Sequence, residues 1–184
     1  MSETPQMQEQ LDALRKELGR VKGAGQEDKL SMVLFSGDLD KALAAFIIAT
    51  GAVAMGMESV IFLTFWGTPL FRKPDKTVAG KDLMGKMFGW MLPKGAQKAT
   101  LSKMNMGGMG TAMLKDLMRK KNVASLPQMI DMAGQLGVRV YVCEMSMDLM
   151  GFKREEMIDY PDLKFAGVAT FLAEAKNSKV QLFL

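Results

Sequence analysis

The chain of 184 residues contains no histidine and only one cysteine, and these two scarcities remove more chemistry than any other feature. Without an imidazole, Ser-His and Cys-His nucleophilic pairs cannot be assembled, and neither can zinc sites that use His ligands. One thiol cannot close an intramolecular disulfide. No Cys-x-x-Cys is present, so a redox cycle that needs a resolving thiol would have to borrow it from another molecule. The opening stretch MSETPQMQEQ lacks the apolar run of a signal peptide, and a lone cysteine suits a reducing compartment, so the expected location is the cytoplasm. Gly107-Gly108-Met109-Gly110 does not match a P-loop, and no GxGxxG opens the first βα unit. Between Ala42 and Trp66 only Glu58 is ionisable. Gly51, Gly56 and the Glu58-Ser59 interruption nevertheless fit a buried helix followed by a central strand better than a membrane span, which needs about 20 apolar residues.

What remains is enough for one good core: 48% of the residues are hydrophobic. A strand is expected over 30–35, followed by Ser36-Gly37-Asp38-Leu39-Asp40 and a long apolar helix over 41–55. A second strand is expected over 60–65, then later a helix over 126–136, a strand over 138–142, a short strand over 163–166, a helix over 168–176 and a terminal strand over 180–184. Strands alternating with helices imply a three-layer α/β/α domain with a mainly parallel sheet of about five strands. Residues 1–28 stand apart as an amphipathic helix and linker ahead of a domain over 29–184. The helix repeats apolar residues at Met7, Leu11, Leu14, Leu18 and Val21, the spacing of a coiled-coil seam, and is expected to dock on its own fold, pair with another copy or bind another protein.

Cys143 ends the apolar run Val138-Arg139-Val140-Tyr141-Val142 and precedes Glu144 to Gly151, which reads as a short helix closed by glycine. A thiol at the carboxyl end of a parallel strand lies on the edge where α/β sheets bind ligands, and the neighbouring helix dipole favours its thiolate. On that basis Cys143 is expected to be at least partly accessible, although a small buried residue filling space fits the position as well. Asp38 and Asp40, after the first strand, should share its sheet edge. They either cap the helix that follows or tune the thiol. A lone thiolate can still carry sulfur: it displaces a donor thiolate from a terminal sulfur, becomes a persulfide and passes that sulfur on by the same displacement.

The basic excess is confined to one stretch. From Thr68 to Asn122 there are twelve Lys or Arg against three acids, while the rest of the chain is net acidic. This insertion, about 67–122, is rich in Met and Gly (Asp82 to Pro93, Lys103 to Gly110) and reads as an adaptable binding surface or mobile lid. Its lysines near Phe88 and Trp90 also suit a peripheral membrane contact, whereas nucleic acid is not expected. Its methionines are assigned to packing rather than to soft-metal binding. No cofactor and no metal are expected.

Four separated segments, SGDLDKALAAFIIATGAVAMGMES, FLTFWG, LSKMNMGGMG and GVRVYVCEMSMDLMGF, resemble the DsrE/DsrF/DsrH-like sulfurtransferase family, in the branch with a Met-rich insertion that is sometimes labelled peroxiredoxin family. The resemblance runs from about Leu30 to Leu184. It implies an α/β/α domain that forms homo-oligomers, and a cysteine, matched by Cys143, that exchanges persulfide sulfur with TusA-like and rhodanese-like proteins. On this reading Asp38 and Asp40 line the site, and backbone N–H groups over Glu144, Met145, Ser146 and Met147 stabilise the persulfide. The competing expectation is a non-catalytic assembly protein in which Cys143 is structural.

Overall fold

A computed structural model describes residues 7–8, 10–16, 27–75, 87–89 and 91–184. Five strands, β1 (Glu27–Leu34), β2 (Glu58–Leu63), β3 (Arg139–Cys143), β4 (Leu163–Ala166) and β5 (Ser178–Phe183), form one sheet in the order β4-β3-β2-β1-β5. Every pairing is parallel. The chain steps outward from β1 to β4, then crosses back to lay β5 on the far side of β1.

Alternation along the strands separates two cores. Leu30, Met32 and Leu34 of β1, Ile61 and Leu63 of β2, and Val140 and Val142 of β3 face one side. That side is covered by α1 (Leu39–Ala54), α3 (Leu126–Gln135) and α4 (Glu144–Met150). Val60, Phe62, Tyr141 and Cys143 face the other side, where α5 (Val168–Lys176) contributes Phe171 and Ala175. Both faces are therefore apolar, which explains why β2 and β3 read as continuous hydrophobic runs rather than alternating ones. Among the described residues, α5 is the one helix in the second layer.

The apolar stretch Ala42 to Trp66 divides, as expected, into a buried helix and a central strand. No helix among the described residues is long and apolar enough to cross a membrane. The end of β1 is locked to the loop after β2 by close backbone contact. The Gly67 N–H donates to Phe35 O at 3.0 Å, and a Cβ on Gly67 would lie 2.3 Å from Leu34 O.

Residues 109–120 form α2 (Met109–Lys120), preceded by a tight turn in which Gly107 and Gly108 take φ of 69° and 100°. The glycines end the turn, and the following TAMLKDLMRK has the 3.6-residue periodicity of a surface helix. Thr111 is its buried side chain, while Met109, Met113 and Leu117 face outward. The Asp82 to Pro93 segment lies partly outside the described residues. Arg72, at the start of the insertion, is buried with Glu156, its Nη2 donating to Oε2 at 3.1 Å, and its guanidinium lies 4.3 Å from the Phe152 ring centre.

Residues 7, 8 and 10–16 are helical, but Met7, Leu11 and Leu14 are 57%, 44% and 61% exposed, so this part of the seam is not docked on the body of its own chain. Leu18 and Val21 lie outside the described residues.

Candidate functional site

Cys143 is the last residue of β3 and the N-cap of α4, with φ −67° and ψ 113°. The helix is closed by Gly151 at φ 66°, a left-handed turn that only glycine adopts without strain. The thiol does not follow that helix, however. Met147 and Met150 carry α4 into the first core, while the Cys143 side chain points to the opposite face among Val60, Phe62, Tyr141, Ala166, Phe171 and Ala175. It makes no side-chain capping bond to α4.

The expectation of an accessible thiol is overturned: Cys143 is 3% exposed. The reason is the position of α5. β4 ends at Ala166, the register partner of Cys143, and the chain turns at once through Gly167 into α5, which runs back over this face. The strand's end lies at the sheet edge, but its last side chain is roofed.

Ser146 is fully buried and joins the loop after β2 to α4. Its Oγ bonds Thr64 Oγ1 at 2.9 Å and accepts the Phe65 N–H at 3.0 Å. Met147 is buried on the far side of the sheet, Met145 is exposed, and the Glu144 carboxylate is paired with Arg154. Of the four residues expected to line the thiol through α4, Ser146 is thus committed to positioning the β2–α4 junction.

Asp38 and Asp40 do follow β1 at the carboxyl edge, but β2 lies between β1 and β3, and no bond or ion pair among the described residues links either acid to Cys143. The capping expectation also fails. Asp38 occupies the N-cap position of α1 without a side-chain capping bond, because its carboxylate accepts from Ser36 Oγ and Lys41 Nζ at 2.8 and 2.9 Å. Asp40 turns outward to accept the Ser102 N–H and hydroxyl. Burial pushes its carboxyl upward, and these two bonds outweigh that effect and hold it below the ordinary carboxylate range. The acids thus fasten α1 and the insertion. A cavity of about 370 Å³ beside them is lined by Ser36, Asp38, Lys41, Trp66 and Pro93.

The polar group nearest in chemistry to the thiol's layer is one that sequence reading missed. Glu174 of α5 accepts Lys29 Nζ at 2.8 Å, Arg139 Nη1 at 3.1 Å and the Tyr141 hydroxyl at 3.0 Å. The Lys29 bond does most to hold the Glu174 carboxyl below its usual range, and burial opposes it. Lys29, Arg139 and Tyr141 share the face of Cys143. The alternation of β3 and the position of Glu174 three residues after Phe171 are the signals that could have identified the cluster.

A family model described as the DsrE/DsrF/DrsH-like family matches residues 26–183. The uncharacterized protein YrkE of Bacillus subtilis is 49% identical over 159 residues, spanning 86% of this chain and 98% of that protein. The sulfur carrier protein DsrE2 of Allochromatium vinosum is 32% identical over 160 residues, spanning 86% of this chain and 99% of that relative.

Proposed function

The chain belongs to the DsrE/DsrF/DrsH-like family, and from that premise we propose that it is a sulfur carrier in which Cys143 takes up and delivers persulfide sulfur. The observation that carries this reading is the similarity, over 86% of this chain, to a protein named as a sulfur carrier, joined to the presence of one thiol in the whole chain. The step is a displacement. The Cys143 thiolate attacks the terminal sulfur of a donor persulfide, a new S–S bond forms at Cys143, the donor's S–S bond breaks, and the donor sulfur leaves as thiolate. Delivery reverses the roles, so no external oxidant or reductant enters. TusA-like and rhodanese-like proteins have the thiol chemistry required of donor and acceptor, and homo-oligomers fit the exposed apolar faces of the N-terminal helix.

Burial of Cys143 bears on the mechanism. The thiol is buried with Val60, Phe62 and Phe171, so exchange needs the second layer to part during the encounter. The structural-cysteine alternative is favoured by the same burial. Intact mass after incubation with a sulfane-sulfur donor separates the two. One added sulfur atom per chain, removed by a thiol reductant and absent in Cys143→Ala, supports the carrier. An unchanged mass for the native protein would leave Cys143 as packing.

A further inference from the structure

Among the described residues, Cys143 lies under the one helix of its layer, and that helix is attached very unevenly. The Glu174 end of α5 is fixed by the three bonds from Lys29, Arg139 and Tyr141. Further along, Ser178 Oγ donates to Glu174 O at 3.0 Å, Gln181 Nε2 donates to Ala175 O at 2.7 Å, and Ser31 and Ser178 share a buried hydroxyl bond at 2.7 Å. The other end has no comparable side-chain anchor among the described residues and is joined through Gly167 to β4, which is paired with β3. Gly167 supplies no side chain to cap the helix, and Val168, Ala169 and Thr170 are all exposed, Val168 at 60%. Between these ends a single large side chain enters the core: Phe171, stacked on Phe62 with ring centres 4.9 Å apart and planes 20° apart.

We infer that α5 is a hinged cover over Cys143, pinned at Glu174 and held closed over the thiol by Phe171. The chain enters the cover at Gly167, one residue beyond Ala166, the register partner of Cys143. Opening therefore begins at the end nearest the thiol and requires that Phe171 leave Phe62 while the backbone turns at Gly167. The ion and hydrogen-bond network at Glu174 stays intact, so the helix returns to the same place. In the closed state the thiol is shielded from small oxidants, and in the open state it meets the partner. This use of the cover rests on the sulfur-carrier reading, whereas the cover itself does not.

Iodoacetamide alkylation of the full chain in increasing sub-denaturing urea tests it. Opening of a cover exposes little surface, so the rate should rise only weakly with urea, far less steeply than global unfolding measured on the same sample. Phe171→Ala should raise the rate in water at least tenfold with the shallow slope retained. Leu172→Ala, which alters an exposed neighbour on the same helix, should leave the rate within about twofold. Glu174→Gln should accelerate labelling and steepen the urea slope, because the pinned end is then released as well. Modification that tracks global unfolding, or equal acceleration by Leu172→Ala and Phe171→Ala, would overturn the cover. Sulfur loading is read separately on the same proteins. Fast alkylation of Phe171→Ala without sulfur uptake would keep the cover and sink the carrier reading. Uptake by the unaltered chain that Phe171→Ala does not accelerate would do the reverse.

Discussion

Cys143→Ser is the usual loss-of-function control for a reactive thiol, and this site makes it a costly one. The sulfur is 3% exposed, and its neighbours are Val60, Phe62, Tyr141, Ala166, Phe171 and Ala175. No hydrogen bond to the Cys143 side chain is found among the described residues, and its cluster neighbours are mostly apolar. A serine hydroxyl there loses water without gaining a ready partner, a penalty of about 1–3 kcal/mol. Alanine leaves only a small void, because one heavy atom is removed, and should cost about 1 kcal/mol. For a chain of this size each kcal/mol lowers the melting temperature by about 2–4 °C, so the serine variant should melt clearly below the alanine variant, and both below the parent. Urea unfolding followed by circular dichroism checks the order. A serine variant as stable as the parent would mean that the thiol is hydrated in the resting state, which would refute the buried site and the cover together.

Glu156→Leu should cost about 3–5 kcal/mol by stranding the buried Arg72 guanidinium, and Arg72→Met combined with it should restore most of that loss; denaturation of both single variants and the double variant closes the cycle. Gly67→Ala should destabilise by about 1–3 kcal/mol, since the added Cβ meets Leu34 O at 2.3 Å, and a melting curve measures it. The depressed Glu174 carboxyl, set chiefly by the Lys29 bond, contributes stability that is fully present above the unfolded carboxylate pKa of about 4.3 and is lost as pH falls through the lower folded value. Glu174→Gln should therefore flatten the fall in unfolding midpoint between neutral pH and about pH 3.

How far the sequence could be read depended on whether the signal was local. Gly151 closing α4, the apolar run of β3 and the apolar run before Glu58 each carry their structure within a few residues, and the expected elements over 126–136, 163–166 and 168–176 agree closely with α3, β4 and α5. The pairing of β5 with β1 was not legible, because no residue in either strand names its partner. The α2 helix was obscured by its glycine-rich approach. At the site, the edge position of Cys143 followed from strand order, but its burial came from α5, an element more than twenty residues further along that was read correctly and not connected to it. Asp38 and Asp40 sat in a proper capping context, but Asp38 was taken by its local neighbours Ser36 and Lys41 and Asp40 by Ser102, a partner that only the tertiary fold supplies.

The return of the chain to lay β5 against β1 also orders events in time. Leu30 pairs with Val180, and Phe35 and Val33 exchange backbone bonds with Leu184, contacts about 150 residues apart in sequence. Such distant pairs form late, both in refolding and during synthesis, when the intervening strands and the first core can already be in place. Until β5 docks, the far end of α5 lacks its bonds from Ser178 and Gln181, and the face carrying Cys143 is less firmly covered. A newly made molecule thus passes through a period of high thiol reactivity that the mature one lacks, and a pulse of alkylating agent early in refolding should mark Cys143 far more heavily than the same pulse applied once β5 is seated.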